Sequence, residues 1–186
     1  MTRVTVLIVA LFPLSEIVLA LLKRSPRASA HREDRGSLRA VWLAIAGGIF
    51  IATVAQSTGV ARLPGPPPLL RLAAWVLLAG GLVLRWTAIL TLGRFFTVDV
   101  AVHRDHTVVQ TGLYRKIRHP SYTGLLIAFL GIGVFFGNWL SLFGLLIPVV
   151  LAVLNRVAKE ERALLEALGP EYASYCARTG RFLPGL

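Results

Sequence analysis

The sequence predicts an all-α membrane protein: a polytopic helix bundle with about five transmembrane helices. Three observations predict it. Of 186 residues, 55% are hydrophobic and 16% are charged, against roughly 45–50% and about 25% in water-soluble domains. Mean hydropathy is correspondingly high at +0.68. The third observation is the alternation of long apolar runs with loops rich in Lys and Arg. The length suits a single domain, 1–186, with no internal repeat.

The first apolar run, residues 4–22, is interrupted by Glu16 and closed by Lys23-Arg24. Ala28-Ser29-Ala30 resembles a signal-peptidase site, but a signal core runs roughly 7–15 residues while a spanning helix needs about 20. A retained helix is expected. A second span covers residues 38–58, and Leu63-Pro64-Gly65-Pro66-Pro67-Pro68 then stops any helix. The third span covers residues 69–92, with Arg85 towards its end. A polar stretch follows to Ser121, in which the alternation from Thr97 to Val102 predicts a short extended segment.

Residues 122–136 and 140–154 are two shorter apolar runs around Gly137-Asn138-Trp139. They predict a tight helical hairpin packed against the other helices, with Pro148 a possible kink. From Asn155 the pattern turns amphipathic, with Leu164, Leu165 and Leu168 on one face, until Gly169-Pro170 ends it.

Net charge is +11, from 20 Lys and Arg against 9 Asp and Glu. The basic residues lie between apolar runs rather than on an aromatic-studded stripe. Basic loops facing anionic lipid therefore explain the charge, and no nucleic-acid partner is expected. Lys and Arg concentrate in residues 23–39, 94–118 and 156–181. With five spans, all three stretches fall on one side, which sets the N-terminus outside and the C-terminus and active site on the cytoplasmic side. Cys176 is the only cysteine, so no intrachain disulfide is possible. His31, His103 and His106 lack metal-ligand spacing, so no metal is expected.

Three motifs carry chemistry, all on the expected cytoplasmic side. The first is Gly112-Leu113-Tyr114-Arg115-Lys116-Ile117-Arg118-His119-Pro120-Ser121-Tyr122-Thr123-Gly124. Here a loop enters a helix at Pro120, whose N-terminus suits an anion, and Arg118 can fork onto a carboxylate or phosphate. Arg115 and Lys116 read as interfacial anchors. The second is Glu160-Glu161 at the end of the last span. Adjacent helical residues point about 100° apart, so one glutamate faces a site while the other pairs with Arg156 or Arg181. A solvated helix end is the alternative reading. The third is Gly169-Pro170-Glu171-Tyr172, Tyr175 and Arg181-Phe182-Leu183-Pro184. Arg85 reads as structural, snorkelling or paired with Glu16 or Asp99.

In their order, these motifs resemble the isoprenylcysteine carboxyl methyltransferase family, and Leu92-Gly93-Arg94-Phe95-Phe96-Thr97 resembles its bacterial members. The resemblance covers roughly residues 85–186; of the chain, residues 69–186 read as the core and 1–68 as two helices without signature. It implies S-adenosylmethionine as cofactor, contacted by His119, Pro120, Tyr122, Glu160, Tyr172 and Tyr175. It implies catalytic roles for Arg118, Glu161 and Arg181, the arginines holding a methionine carboxylate or an acidic substrate. The implied partners are the lipid bilayer and a lipophilic or lipidated acceptor, with oligomeric state open. Phospholipid N-methyltransferases, thiol S-methyltransferases and NADPH-dependent membrane sterol reductases share much of the signature and stand as alternatives.

Overall fold

The computed structural model describes residues 3–22, 34–96 and 107–185. They form six helices: α1 (Arg3–Leu22), α2 (Asp34–Thr58), α3 (Pro67–Leu92), α4 (Pro120–Phe135), α5 (Trp139–Leu168) and α6 (Pro170–Arg178). Short 3-10 turns occupy Gly93–Phe95 and Gly112–Arg115. No strand occurs among the described residues. The extended segment expected from Thr97, together with Asp99, His31, His103 and His106, lies outside them.

Three described helices are long and apolar enough to cross a membrane: Gly36–Thr58, Pro67–Leu92 and Trp139–Leu168. Five crossings were expected, and the two others are shorter apolar helices, Ala10–Leu19 and Pro120–Phe135. The shortness of α4 has a packing counterpart. It sits between α3 and α5 at the centre of the bundle and buries Leu125, Ala128, Phe129 and Ile132. The amphipathic stretch after Asn155 is helical as expected. It continues the second hairpin arm, so α5 runs unbroken through Pro148 to Leu168. The outer faces carry exposed Leu43, Phe50, Val76, Val83, Leu90 and Leu151, a surface that suits lipid rather than water.

Small residues set the separation of α3 and α4. A Cβ on Gly81 would lie 2.5 Å from the backbone nitrogen of Ala128, and one on Gly124 would lie 2.6 Å from that of Arg85. The two backbones touch directly, as helices in lipid do when packing rather than hydrophobicity drives association. At the hairpin end Gly137 takes φ +66, a left-handed value that favours glycine. Asn138 then caps α5, its side chain accepting from the backbone N–H groups of Leu140 (2.8 Å) and Ser141 (3.1 Å). Its amide donates to the carbonyls of Ala55 and Val60, while Leu63 N–H donates to Gly137 O at 2.9 Å. This clasp ties the α2–α3 turn to the hairpin and leaves the opposite end of the bundle for the charged residues.

Adjacent glycines on α3 offer a direct check of the close approach. Gly81→Ala is expected to destabilise by about 1–3 kcal/mol, since backbone must move to admit the methyl. Gly80→Ala, where a Cβ meets nothing within 4 Å, is expected to be neutral or slightly stabilising. Unfolding in mixed detergent micelles measures both.

Candidate active site

The loop before α4 and the chain after α6 lie side by side. Arg118 N–H donates to Gly180 O (2.8 Å), His119 N–H to Arg181 O (3.0 Å), and Gly180 N–H to Lys116 O (3.1 Å). Thr123 Oγ1 adds a bond to Phe182 O at 2.8 Å, and the Tyr175 hydroxyl donates to Tyr114 O at 2.7 Å. Arg118 and Arg181, 63 positions apart in the numbering, thus come to one place. α5 delivers Glu161 between them.

Glu161 is the centre of this cluster. Its Oε1 accepts from Arg118 Nε at 3.0 Å and Arg181 Nε at 3.2 Å, and lies 3.2 Å from His119 Nε2. Its Oε2 accepts from Arg181 Nη2 at 2.5 Å. Arg118 Nη1 turns to the last carbonyls of α6, donating to Cys176 O at 2.9 Å and to Thr179 O, where a cation is favoured by the helix dipole. The bonds to Glu161 hold the Arg181 guanidinium above its ordinary pKa. Burial pushes the Cys176 thiol up and keeps it protonated at neutral pH.

Glu160 faces elsewhere. Tyr122 donates its hydroxyl to Glu160 Oε2 at 2.9 Å and accepts from Arg156 Nε at 2.8 Å. Arg156 Nη1 reaches Ser37 on α2 at 3.1 Å, and Glu160 Oε1 stands 4.0 Å from His119 Nδ1. His119 therefore sits between the two glutamates, its ring 5.8 Å from that of Tyr122.

These groups border an internal cavity. Its polar end is lined by Arg118, His119, Tyr122, Arg156, Glu160 and Tyr172. Its apolar wall comes from Phe12 and Leu19 on α1, Val41, Trp42 and Ile45 on α2, and Leu125 on α4. Of the residues singled out in the sequence, Arg118, His119, Tyr122, Glu160, Tyr172 and Tyr175 line the cavity. Glu161 and Arg181 lie behind it in the ion cluster, and Pro120 is buried as the first residue of α4. Glu161, not Glu160, is the glutamate paired with Arg181. No cluster of potential metal ligands occurs among the described residues.

Sequence reasoning missed three contributors. Arg156, taken as a partner for a glutamate, lines the cavity and holds Tyr122; its place four residues before Glu160 was the available signal. Glu16 and Arg85 also line the cavity, paired as one of the two options foresaw. The α1 and α2 side chains carry no signature, yet they build much of the apolar wall.

Bundle and cavity define an integral membrane protein with an internal chamber, polar at one end and apolar along its wall. The model of the isoprenylcysteine carboxyl methyltransferase (ICMT) family matches residues 73–166. The chain belongs to that family. It is 36% identical over 106 residues to protein-S-isoprenylcysteine O-methyltransferase B of Arabidopsis thaliana, covering 56% of this chain and 54% of that one. It is 34% identical over 108 residues to the protein-S-isoprenylcysteine O-methyltransferase of Schizosaccharomyces pombe, covering 56% and 45%. The structure of the eukaryotic intramembrane Ras methyltransferase ICMT superposes with a TM-score of 0.58 at 31% identity, over 63% of this chain and 43% of that one. The chain spans about half the length of the curated relatives it matches.

The Tyr175 hydroxyl, bonded to Tyr114 O, has a measurable pH signature. Burial pushes its phenol up to about 12 from an ordinary value of 10.0. The proton is held in the folded state and lost in the unfolded one between those values, so its contribution is full below pH 10 and falls as pH rises towards 12. Tyr175→Phe is expected to cost about 1 kcal/mol at pH 7 and to flatten part of the alkaline decline, read by unfolding at several pH values.

Proposed function

We propose that the chain is an S-adenosylmethionine-dependent membrane methyltransferase that transfers a methyl group to a lipophilic acceptor, by carboxyl O-methylation of an isoprenylcysteine-like acid. The observation that carries this reading is the cavity, whose charged end and apolar wall match a polar cofactor and a greasy acceptor within one chamber. Family membership supports the reaction class. We further propose five crossings, with the N-terminus outside and the charged end facing the cytoplasm, where most of the Lys and Arg lie.

The donor set fits the cofactor. Glu160 is the more open of the two adjacent glutamates, its side chain 28% exposed against 10% for Glu161. A carboxylate beside the rings of His119, Tyr122 and Tyr172 suits a molecule that carries both a cation and a purine. Glu160, His119, Tyr122 and Tyr172 would hold it, with Tyr175 supporting from α6 and Pro120 starting the helix that presents Tyr122. When bound, S-adenosylmethionine supplies an electrophilic methyl group on its sulfonium.

The chain's own contribution is positioning. A carboxylic acid acceptor is already ionised at neutral pH, so no strong general base is needed. Glu161 fixes Arg118 and Arg181, and through them the loop that carries His119. Arg118, which reaches the cavity while bound to Glu161, is the arginine placed to meet an acidic group. The apolar wall excludes water from a displacement in which orientation lowers the barrier.

Titration of the detergent-purified protein with S-adenosylhomocysteine and, in parallel, NADPH tests the reading. Binding of S-adenosylhomocysteine alone is expected, weakened at least tenfold by Glu160→Gln. Binding of NADPH alone would overturn it in favour of a reductase.

A further inference from the structure

A hydrogen-bonded chain of side chains runs from α2 into the polar end of the cavity. Ser37, on the first turn of α2, accepts from Arg156 Nη1 at 3.1 Å. Arg156 Nε donates to the Tyr122 hydroxyl at 2.8 Å, and that hydroxyl donates to Glu160 Oε2 at 2.9 Å. Ser37 and Arg156 are 1% and 5% exposed. Ser37 shares its face of α2 with Val41 and Ile45, which follow at intervals of four, are likewise buried and line the cavity.

The donors fix the direction of these bonds. A guanidinium has no acceptor, so the Tyr122 oxygen must accept from Arg156, and its single proton is committed to Glu160. Arg156 and Glu160 lie one turn apart on α5, a spacing at which opposite charges ordinarily meet directly. Here the Tyr122 hydroxyl stands between Arg156 Nε and the carboxylate, and Nη1 is drawn across to α2. A long side chain held at both points gives up rotamers in which it would turn onto its neighbouring glutamate. Tyr122, Arg156 and Glu160 lie within the residues that match the family, whereas Ser37 lies outside them.

We propose that Ser37 is a positioning residue for the cofactor: by holding Arg156 towards α2, it keeps Tyr122 donating to Glu160 and leaves that carboxylate open to the cofactor's cation. The inference rests on the methyltransferase reading above, in which Tyr122 and Glu160 hold S-adenosylmethionine. It extends that site to a helix that carries no signature. Without the Ser37 hydroxyl, Arg156 Nη1 loses its acceptor on α2 and the guanidinium competes with the cofactor for Glu160. The effect reaches the ligand only through Tyr122 and Glu160, which gives it a distinct pattern in paired substitutions.

The test is S-adenosylhomocysteine binding to the detergent-purified chain and its Ser37 variants, alone and combined with Tyr122→Phe. Ser37→Ala and Ser37→Cys are each expected to weaken binding about fivefold, the worth of one hydrogen bond. Ser37→Thr keeps the hydroxyl and is expected to stay within about twofold of wild type. Added to Tyr122→Phe, which already breaks the chain, Ser37→Ala is expected to cost less than about twofold more. Wild-type affinity in Ser37→Cys, which keeps the side-chain volume even where Ser37→Ala fails to fold, would overturn the inference. So would a fully additive loss in the double variant, wild-type affinity in Tyr122→Phe, or a Ser37→Thr as weak as Ser37→Ala; each would leave Ser37 as a packing residue. Failure of wild type to bind S-adenosylhomocysteine at all would instead overturn the methyltransferase reading on which this one rests.

Discussion

The carboxylate of Glu161 is the point on which the polar end of the molecule depends. It is contributed by α5, yet its partners Arg118, His119 and Arg181 come from the loop before α4 and from the chain beyond α6. None of those segments has a helix of its own to hold its side chains in register. Two arginines brought this close would repel one another without an anion between them. With Glu161 in place their positive charge becomes a fastening. Backbone pairing between 116–119 and 180–181 then follows at ordinary hydrogen-bond distances.

The rest of the bundle supplies what a carboxylate cannot, a fixed distance from α5 to that loop. Close contact of α3 and α4 through Gly81 and Gly124 removes slack on one side. Asn138 and Gly137 lock the hairpin on the other, at the far end from the charges. Packing therefore fixes one end of α4 and electrostatics the other. Between them lies a chamber whose polar head comes from α4, α5 and α6, and whose apolar wall comes largely from α1 and α2. Charge and apolar surface are thus separated along a single cavity.

Much of this was legible in the sequence, for physical reasons. Long apolar runs, a Pro-rich stop after Leu63 and the turn at Gly137-Asn138-Trp139 each have a local cause, and each marks an element boundary in the structure. Arg118, His119 and the two glutamates stood out because charge at the mouth of an apolar bundle needs an explanation. What the sequence did not reveal depends on contacts distant along the chain. That Glu161 rather than Glu160 binds Arg181 is decided by the rotation of α5, which 3.6-residue periodicity constrains but does not set. The contribution of α1 and α2 was hidden because an apolar side chain lining a cavity looks the same, residue by residue, as one facing lipid. The shortness of α4 agrees with the packed hairpin expected there, since a helix buried by its neighbours needs less length than one that meets lipid alone.

The central claim is that Glu161 holds the loop before α4 and the chain after α6 together over the cavity. Hydrogen exchange at the amides of Arg118, His119 and Gly180 tests it most directly, comparing Glu161→Gln with Glu166→Gln, a change at an exposed position on the same helix. The account predicts that Glu161→Gln speeds exchange at all three amides while Glu166→Gln leaves them at the wild-type rate. Equal protection in the two variants would contradict it and return the joining of these segments to backbone pairing alone.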